Sequence, residues 1–181
     1  MSRITPLEPT ATTGATRQML DTVHAALGTT PNLMKTLAVA PAALKGYLDL
    51  TDALAAGVLD RRFREQIAIA VAETNACGYC LAAHHALGAL AGLTPDEMAR
   101  NREARSGDTR REAGLRFAKA VVVDRGQVSD TALAAVRSAG FEDAEIVEIV
   151  ANVAVNILTN YINHVAQTAV DFPPVAAPTV A

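Results

Sequence analysis

Between Glu142 and Thr168 the chain carries apolar residues on two helical stripes at once, and this segment narrows the possible folds most. Ile146, Ile149, Val150, Val153, Ile157 and Tyr161 recur at helical spacing, and so do Val147, Ala151, Val155, Leu158 and Ile162. A helix apolar on two sides lies at the centre of a core or is shared between core and subunit interface. In a chain of 181 residues the shared arrangement is expected, which makes a homo-oligomer the expected state. The segment is interrupted by Glu148, Asn152, Asn156, Asn160, Asn163 and His164. A bilayer would penalise that many polar groups, so a membrane span is not expected.

The rest of the chain repeats the helical theme. Helices are expected at about 15–27, 31–39, 41–56, 60–75, 79–91, 95–105, 110–124, 130–139 and 142–168. Gly28 and Gly140 end two of them, and Asn75 with Gly78 is expected to separate the fourth from the fifth. Pro31 and Pro41 suit the first turn of a helix, Asp60 and Ser129 suit N-caps, and Thr94-Pro95-Asp96-Glu97 reads as a capping box. Pro173 and Pro174 forbid continuation of the last helix. No alternating run is long enough for a strand, so the fold class is all-α. Half of the residues are apolar but only 4% are aromatic, with no Trp, so the core must be built from Ala, Val, Leu and Ile.

One domain is expected over 1–181, with 1–13 as a flexible arm and 172–181 as an extended tail. A net charge of −3 gives no electrostatic case for nucleic acid or an anionic membrane. MSRITPLEPTATTG has no apolar run of the secretory type, and a cytoplasmic location is expected. Arg100, Arg102, Arg105, Arg110 and Arg111 are interleaved with acids and read as a solvated surface. A shift of eighty residues places Glu65 on Glu145, Ile69 on Ile149 and His84 on His164, a faint internal echo.

The chemistry gathers in EQIAIAVAETNACGYCLAAHH, which holds Glu65, Cys77, Cys80 and His84. In a reducing compartment a purely structural disulfide is disfavoured, so two cysteines three apart ask for a redox or metal role. Cys80 and His84 are four apart and share a helix face. Cys77 falls near the helix start, where free N–H groups favour a thiolate. Glu65 lies on the preceding helix, which an antiparallel return would bring back beside the pair. Glu73, one turn before Cys77, competes as the working carboxylate, while Tyr79 and His164 are further candidates to line a pocket. Lowering a thiol pKa from about 8.5 to about 7 raises its thiolate fraction at pH 7 roughly sixteenfold. Nucleophilicity falls about fivefold in return, leaving a gain of about threefold. Proton donation to a departing alkoxide is worth about 10² or more, so Glu65 and His84 matter most as proton carriers.

Glu, eleven residues, Cys, two residues, Cys, three residues, His resembles the active-site pattern of the alkylhydroperoxidase D-like, carboxymuconolactone decarboxylase-type family. Glu65, Cys77, Cys80 and His84 match it position by position, and NYINHVAQTAVDFP extends the resemblance toward the C-terminus. Founding members carry a further His between the cysteines, where this chain has Tyr79. The resemblance implies a compact multi-helix fold, a trimer or hexamer, and peroxidase activity on organic hydroperoxides. It also implies that Cys80 attacks the peroxide, Cys77 resolves the sulfenic acid to a disulfide, and Glu65 and His84 move protons. An external dithiol, in the founding system a lipoyl-bearing adaptor, would then reduce the pair. Helix-start logic alone would instead make Cys77 the attacking thiol.

Three other readings use the same residues. A cofactor-free lactone decarboxylase shares the fold but does not need the cysteine pair. General thiol–disulfide exchange needs the pair but no peroxide, and a helical assembly with an idle pair needs neither. Zinc would require four ligands, and no second Cys-x-x-Cys completes a set. No phosphate loop, His-Glu-x-x-His or calcium loop is present, so no cofactor or metal is expected.

Overall fold

The computed structural model describes residues 2–179, and within them the chain is all-α with no strand. A short 3-10 turn at Pro9–Ala11 precedes α1 (Gly14–Leu27), α2 (Asn32–Leu37), α3 (Pro41–Ala55), α4 (Arg61–Thr74) and α5 (Gly78–Leu90). Then come α6 (Pro95–Arg102), α7 (Thr109–Val123), α8 (Asp130–Ser138) and α9 (Asp143–Ala166). Residues 1, 180 and 181, the outermost of the expected arm and tail, lie outside the described residues.

Side chains that satisfy the first free N–H groups start several of these helices. Asp60 accepts from Phe63 N–H at 2.9 Å and Ser129 from Ala132 N–H at 3.1 Å. Glu142 and Glu145 close a reciprocal capping box at the start of α9. Thr94 makes only half of the expected box, accepting from Glu97 N–H at 3.2 Å. The Glu97 carboxylate instead accepts from Gln66, Ser106 and the Gly107 N–H, tying α6 to α4 and to the following loop. Pro31 stands one place before the expected first turn, as the N-cap of α2. α6 stops at Arg102, short of the expected Arg105, because Ala104 turns left-handed at φ 55°.

α4 is the central helix. Gln66 through Ala72 are buried without a gap, and α5, α6, α7 and α9 pack around them. Two apolar clusters meet on it. Ile69 and Ala72 join Leu20, Leu37, Leu44 and Leu81 on one side, while Ile67 and Val71 join Leu115, Phe117, Val136 and Ile149 on the other. The cysteine pair belongs to the first cluster.

α9 lies beside α4 and buries polar side chains next to the apolar Ile146, Ile149 and Val153. By length and composition it could cross a bilayer, but here it packs against α2, α3, α4, α5 and α7. Asn152, Asn156, Thr159, Asn160 and Asn163 point inward and are buried. Val147, Val150, Leu158, Tyr161 and Val165 point outward and are exposed. The two stripes read from sequence therefore divide differently. A helix turns ~100° per residue, which sets Val150 and Tyr161 within ~60° of Val147 and Leu158, so they share the outer face.

The N-terminal segment, expected as a flexible arm, is held at two points. Arg3 N–H donates to the Ala166 carbonyl at 2.7 Å and Leu7 N–H to Lys35 at 3.0 Å. The C-terminal tail is held as well. Asp171 accepts from Asn32 N–H at 2.7 Å, and Arg102 donates to the Ala177 carbonyl at 2.8 Å. Phe172 and Val175 pack on the first apolar cluster. Among the expected solvated arginines, three are struts between elements instead. Arg102 pairs with Glu73 at 2.8 Å, Arg111 with Asp60 at 2.9 Å, and Arg110 with Glu145 at 2.7 Å while lying over the Phe141 ring.

Candidate functional site

The junction between α4 and α5 sets the cysteines. Asn75 and Gly78 were the expected breakers, yet the left-handed residue is Ala76, at φ 54°. Ala76 N–H donates to the Glu73 carbonyl and Cys77 N–H to Ala72, both within 2.9 Å, which closes α4 in a Schellman turn. Cys77 is thus the residue that seals α4 and also the N-cap of α5, its sulfur accepting from Cys80 N–H at 3.4 Å. One turn of helix later, Cys80 brings its sulfur back to 2.8 Å from that of Cys77. Both cysteines are free and only 2% exposed.

The two sulfurs differ in acidity. The S–H of Cys77, donated to Cys80, does most to lower the Cys80 thiol to about 6; burial opposes it, and the His84 charge and the Asn163 amide assist. Cys77 moves the other way, pushed up by that same shared proton and by burial. The shared proton and burial at Cys77 work against the helix-start effect, which alone would favour Cys77 as the thiolate.

His84 stands one turn beyond Cys80, and its Nδ1 lies 2.9 Å from Glu65 Oε2. Burial, the largest single effect, lowers its pKa, but the Glu65 carboxylate, the Cys80 charge and the Asn156 side chain together raise it. The antiparallel return of α4 and α5 therefore brings Glu65 to His84 rather than to the cysteines. Tyr79 takes its place in the pocket wall. Its hydroxyl donates to Asp171 at 2.8 Å, accepts from Leu33 N–H at 3.1 Å, and its ring meets Phe172 edge-on.

Two cavities flank His84. An apolar one of about 70 Å³ reaches Cys80 between Leu33, Met34, Tyr79 and Phe172. A larger one of about 220 Å³ has Arg64, Glu65, Asn152 and Asn156 among its lining residues. Tyr47, His84, Leu87 and Thr159 wall both. Tyr47 is pushed up to about 12, chiefly by burial, with Glu65 and Cys80 adding.

Glu73 and His164 are not brought to this cluster. Glu73 pairs with Arg102 and accepts from Thr179 N–H at 2.7 Å, which makes it an anchor for the tail. His164 Nε2 lies 2.9 Å from the Asn75 carbonyl on the exposed side. Of the internal echo, Glu145 serves Arg110, and α9 runs unbroken where α4 gives way to α5. Sequence reasoning missed Tyr47, Asn156 and Asn163. The asparagines carry a readable signal, a polar stripe at helical spacing within an apolar helix, which by itself says only that the helix does not suit a bilayer. Among the described residues no group of three or more His, Cys, Asp or Glu is placed to hold a metal ion.

Nine helices among the described residues, arranged around a Cys-x-x-Cys turn with a Glu–His pair beside it, define a class of all-helical thiol proteins. The Carboxymuconolactone decarboxylase family model matches residues 41–120, a span that contains the whole Glu65–His84 constellation. The solved alkylhydroperoxidase AhpD core from Ralstonia eutropha JMP134, a peroxidase-related protein, is 29% identical with a TM-score of 0.82 over 97% of this chain and 93% of its own. A peroxidase-related protein from Silicibacter sp. TM1040 is 24% identical with a TM-score of 0.76, covering 89% of this chain and 85% of its own. The debrominase Bmp8, solved as a C82A variant with 2,3,4-tribromopyrrole, shares the fold at 17% identity and a TM-score of 0.81, over 98% and 94% of the two chains. No curated protein matches. Residues 41–120 thus carry a carboxymuconolactone decarboxylase-type sequence, and the chain as a whole has the fold of the alkylhydroperoxidase AhpD core.

Proposed function

We propose that the protein is a thiol-dependent peroxidase that reduces organic hydroperoxides through Cys80 and Cys77. One observation carries the reading: two sulfurs 2.8 Å apart have opposite acidities, and a charged His84–Glu65 pair lies beside the acidic one. The Cys80 thiolate attacks one peroxide oxygen as the O–O bond breaks. His84 delivers a proton to the departing alkoxide, giving the alcohol and a sulfenic acid on Cys80. Cys77 then attacks that sulfur, and its proton leaves with the sulfenic hydroxyl as water. The cycle closes when an external dithiol, a lipoyl-bearing adaptor being the class the family suggests, reduces the disulfide and reprotonates the site. A reducing cytoplasmic setting suits this economy of thiols.

Magnitudes support placing the weight on His84. A thiol at about 6 rather than 9 is roughly ninetyfold more ionised at pH 7. It is also about twentyfold less nucleophilic, so the gain is about fourfold. Proton delivery to the leaving oxygen is worth about 10² or more. The outward apolar face of α9 further supports a homo-oligomer, as a trimer or hexamer, built on that face.

The test is to reduce the protein, add one equivalent of an organic hydroperoxide, and follow free thiols and intact mass over seconds to minutes. Loss of both thiols, with a sulfenic acid trapped on Cys80 in the Cys77→Ser form, supports the reading. Trapping on Cys77 instead would reverse the two roles. Thiols that survive excess peroxide would remove the peroxidase and leave dithiol exchange or thiol-independent lactone decarboxylation.

A further inference from the structure

Beside its buried Ile149 and Val153, α9 turns a row of asparagines inward where a helix facing a core is ordinarily apolar. Most of its polar groups are satisfied locally. Asn152 Nδ2 donates to the Glu148 carbonyl, Asn156 Nδ2 to Asn152 and Thr159 Oγ1 to Asn156, all within 2.9 Å. Asn160, whose Oδ1 accepts from Asn75 while its Nδ2 has no partner among the described residues, and Asn163 are different, and of the two Asn163 reaches the sulfur. Its Nδ2 reaches across to α5 and lies 3.1 Å from Cys80 Sγ, while its Oδ1 is buried and has no partner among the described residues. A buried carbonyl left unpaired is uncommon and calls for a partner that arrives at some stage of the protein's work. The orientation of the amide follows from the sulfur. Cys77 already donates its proton to Cys80, so an ionised Cys80 offers only acceptor capacity, and the NH₂ end must face it.

We propose that Asn163 holds the Cys80 sulfur in two successive states, donating through Nδ2 to the thiolate and accepting through Oδ1 from the sulfenic acid O–H. This rests on the thiol chemistry proposed above. When the Cys80 thiolate gains an oxygen, the new S–O–H group carries a proton that needs an acceptor in a buried site. The Asn163 carbonyl belongs to the same planar amide as the nitrogen already on the sulfur. Holding the O–H there turns the sulfenic oxygen toward α9 and leaves the opposite side of the sulfur open to Cys77. The disulfide then forms as the hydroxyl leaves with the Cys77 proton as water, and the amide is free again.

Other groups face Cys80 from every neighbouring element. Cys77, Tyr79 and His84 lie on its own helix, Tyr47 faces it from α3, Glu65 from α4 through His84, and Asn160 stands beside Asn163 on α9. Cys77, Tyr47 and Tyr79 are all shifted upward, so none of them ionises where Cys80 does. The Asn163 contribution is therefore readable as a displacement of one thiol midpoint.

Iodoacetamide alkylation of the reduced intact protein, followed by mass against pH, measures that midpoint without any peroxide. The midpoint in the unaltered chain is expected at about 6. Asn163→Ala should raise it by about one pH unit, lowering the alkylation rate at pH 6 about fivefold. Asn163→Gln, which keeps the amide on a longer arm, should recover part of the shift. Asn163→Asp keeps the shape and replaces the donor with an acceptor, so it should raise the midpoint even if the alanine form folds poorly. Midpoints for both Ala and Asp within about 0.3 unit of the unaltered chain would overturn the proposal. In the Cys77→Ser background, the trapped sulfenic acid should decay faster once Asn163 is Ala, and an unchanged lifetime would remove the second half of the assignment. A shifted midpoint in a chain whose thiols ignore hydroperoxide would retain Asn163 as the thiolate's partner and discard the peroxidase.

Discussion

His84 Nδ1 lies 2.9 Å from the Glu65 carboxylate, joining α5 to α4 one turn beyond the Cys80 sulfur. Against burial, Glu65 does most to raise the His84 pKa above the ordinary histidine value, with the Cys80 charge and Asn156 adding. The sign of the linkage follows. The pair stabilises the folded chain at pH below the unfolded histidine value, and that contribution is lost as pH rises through the raised folded value. Peroxide turnover should be bell-shaped, with a lower limb near the Cys80 midpoint of about 6 and an upper limb where His84 loses its proton. Glu65→Gln should pull the upper limb to lower pH and reduce turnover at pH 7.5 by about tenfold or more. Steady-state rates across pH for the two forms check this. An upper limb that does not move would separate Glu65 from the proton relay.

The helices and the chemical constellation were legible in the sequence because both are local. Caps such as Asp60 and Ser129 act within one turn, and Cys77, Cys80 and His84 share a single helix. What stayed hidden depends on partners far along the chain. Asn163 meets Cys80, Tyr79 meets Asp171, and Glu148 accepts from Val58 and Leu59 N–H. A buried asparagine in an apolar helix also reads two ways, as an interruption or as a site, until the residue opposite it is known. Glu73 illustrates the converse. Its position one turn before Cys77 suggested chemistry, but Arg102 and the tail claim both of its oxygens.

Ala76 occupies a left-handed position at φ 54°, where the β-carbon crowds the following carbonyl. Glycine carries no such penalty at the residue after a helix cap. Ala76→Gly should therefore stabilise the protein by about 0.5–1 kcal/mol in urea unfolding, even though glycine loosens the unfolded chain. Ala76→Val should destabilise it and also disturb the sulfur spacing, since Cys77 follows directly. A glycine form that is less stable than the parent would show that the turn is not strained.

The tail crosses the start of α5, with Pro178 lying against Gly78, and the Glu73–Arg102 pair fastens it. That pair is largely buried, with 10% and 16% side-chain exposure, and Arg102 donates to both Glu73 and the Ala177 carbonyl. Arg102→Ala should free the tail and speed the reaction of Cys77 in the disulfide with a bulky dithiol by about tenfold, the equivalent of one lost charged hydrogen bond. Oxidation by a small hydroperoxide entering beside Tyr47 and His84 should change little. Stopped-flow traces of the two half-reactions make the comparison, and equal acceleration of both would mean general loosening rather than an opened cover.

Leu158 and Tyr161 stand at the middle of the outer face of α9, 42% and 58% exposed, with Val147 and Val165 extending the strip to either side. Burying such a strip removes apolar surface from water at about 25 cal/mol per Å². A carboxylate placed there would meet its own copy or an apolar neighbour in any assembly built on this face. Leu158→Asp should therefore lower the oligomer to monomers at micromolar concentration, while its helical content stays unchanged because the side chain touches no core cluster. The cysteine midpoint should stay near about 6, since Asn163 and Asn160 lie on the opposite side of the same helix. Sedimentation velocity of the two forms decides the matter. An assembly that survives Leu158→Asp would have to be built on another surface, and α9 would then serve the protein only through its inward face, the asparagines and the core residues Ile149 and Val153.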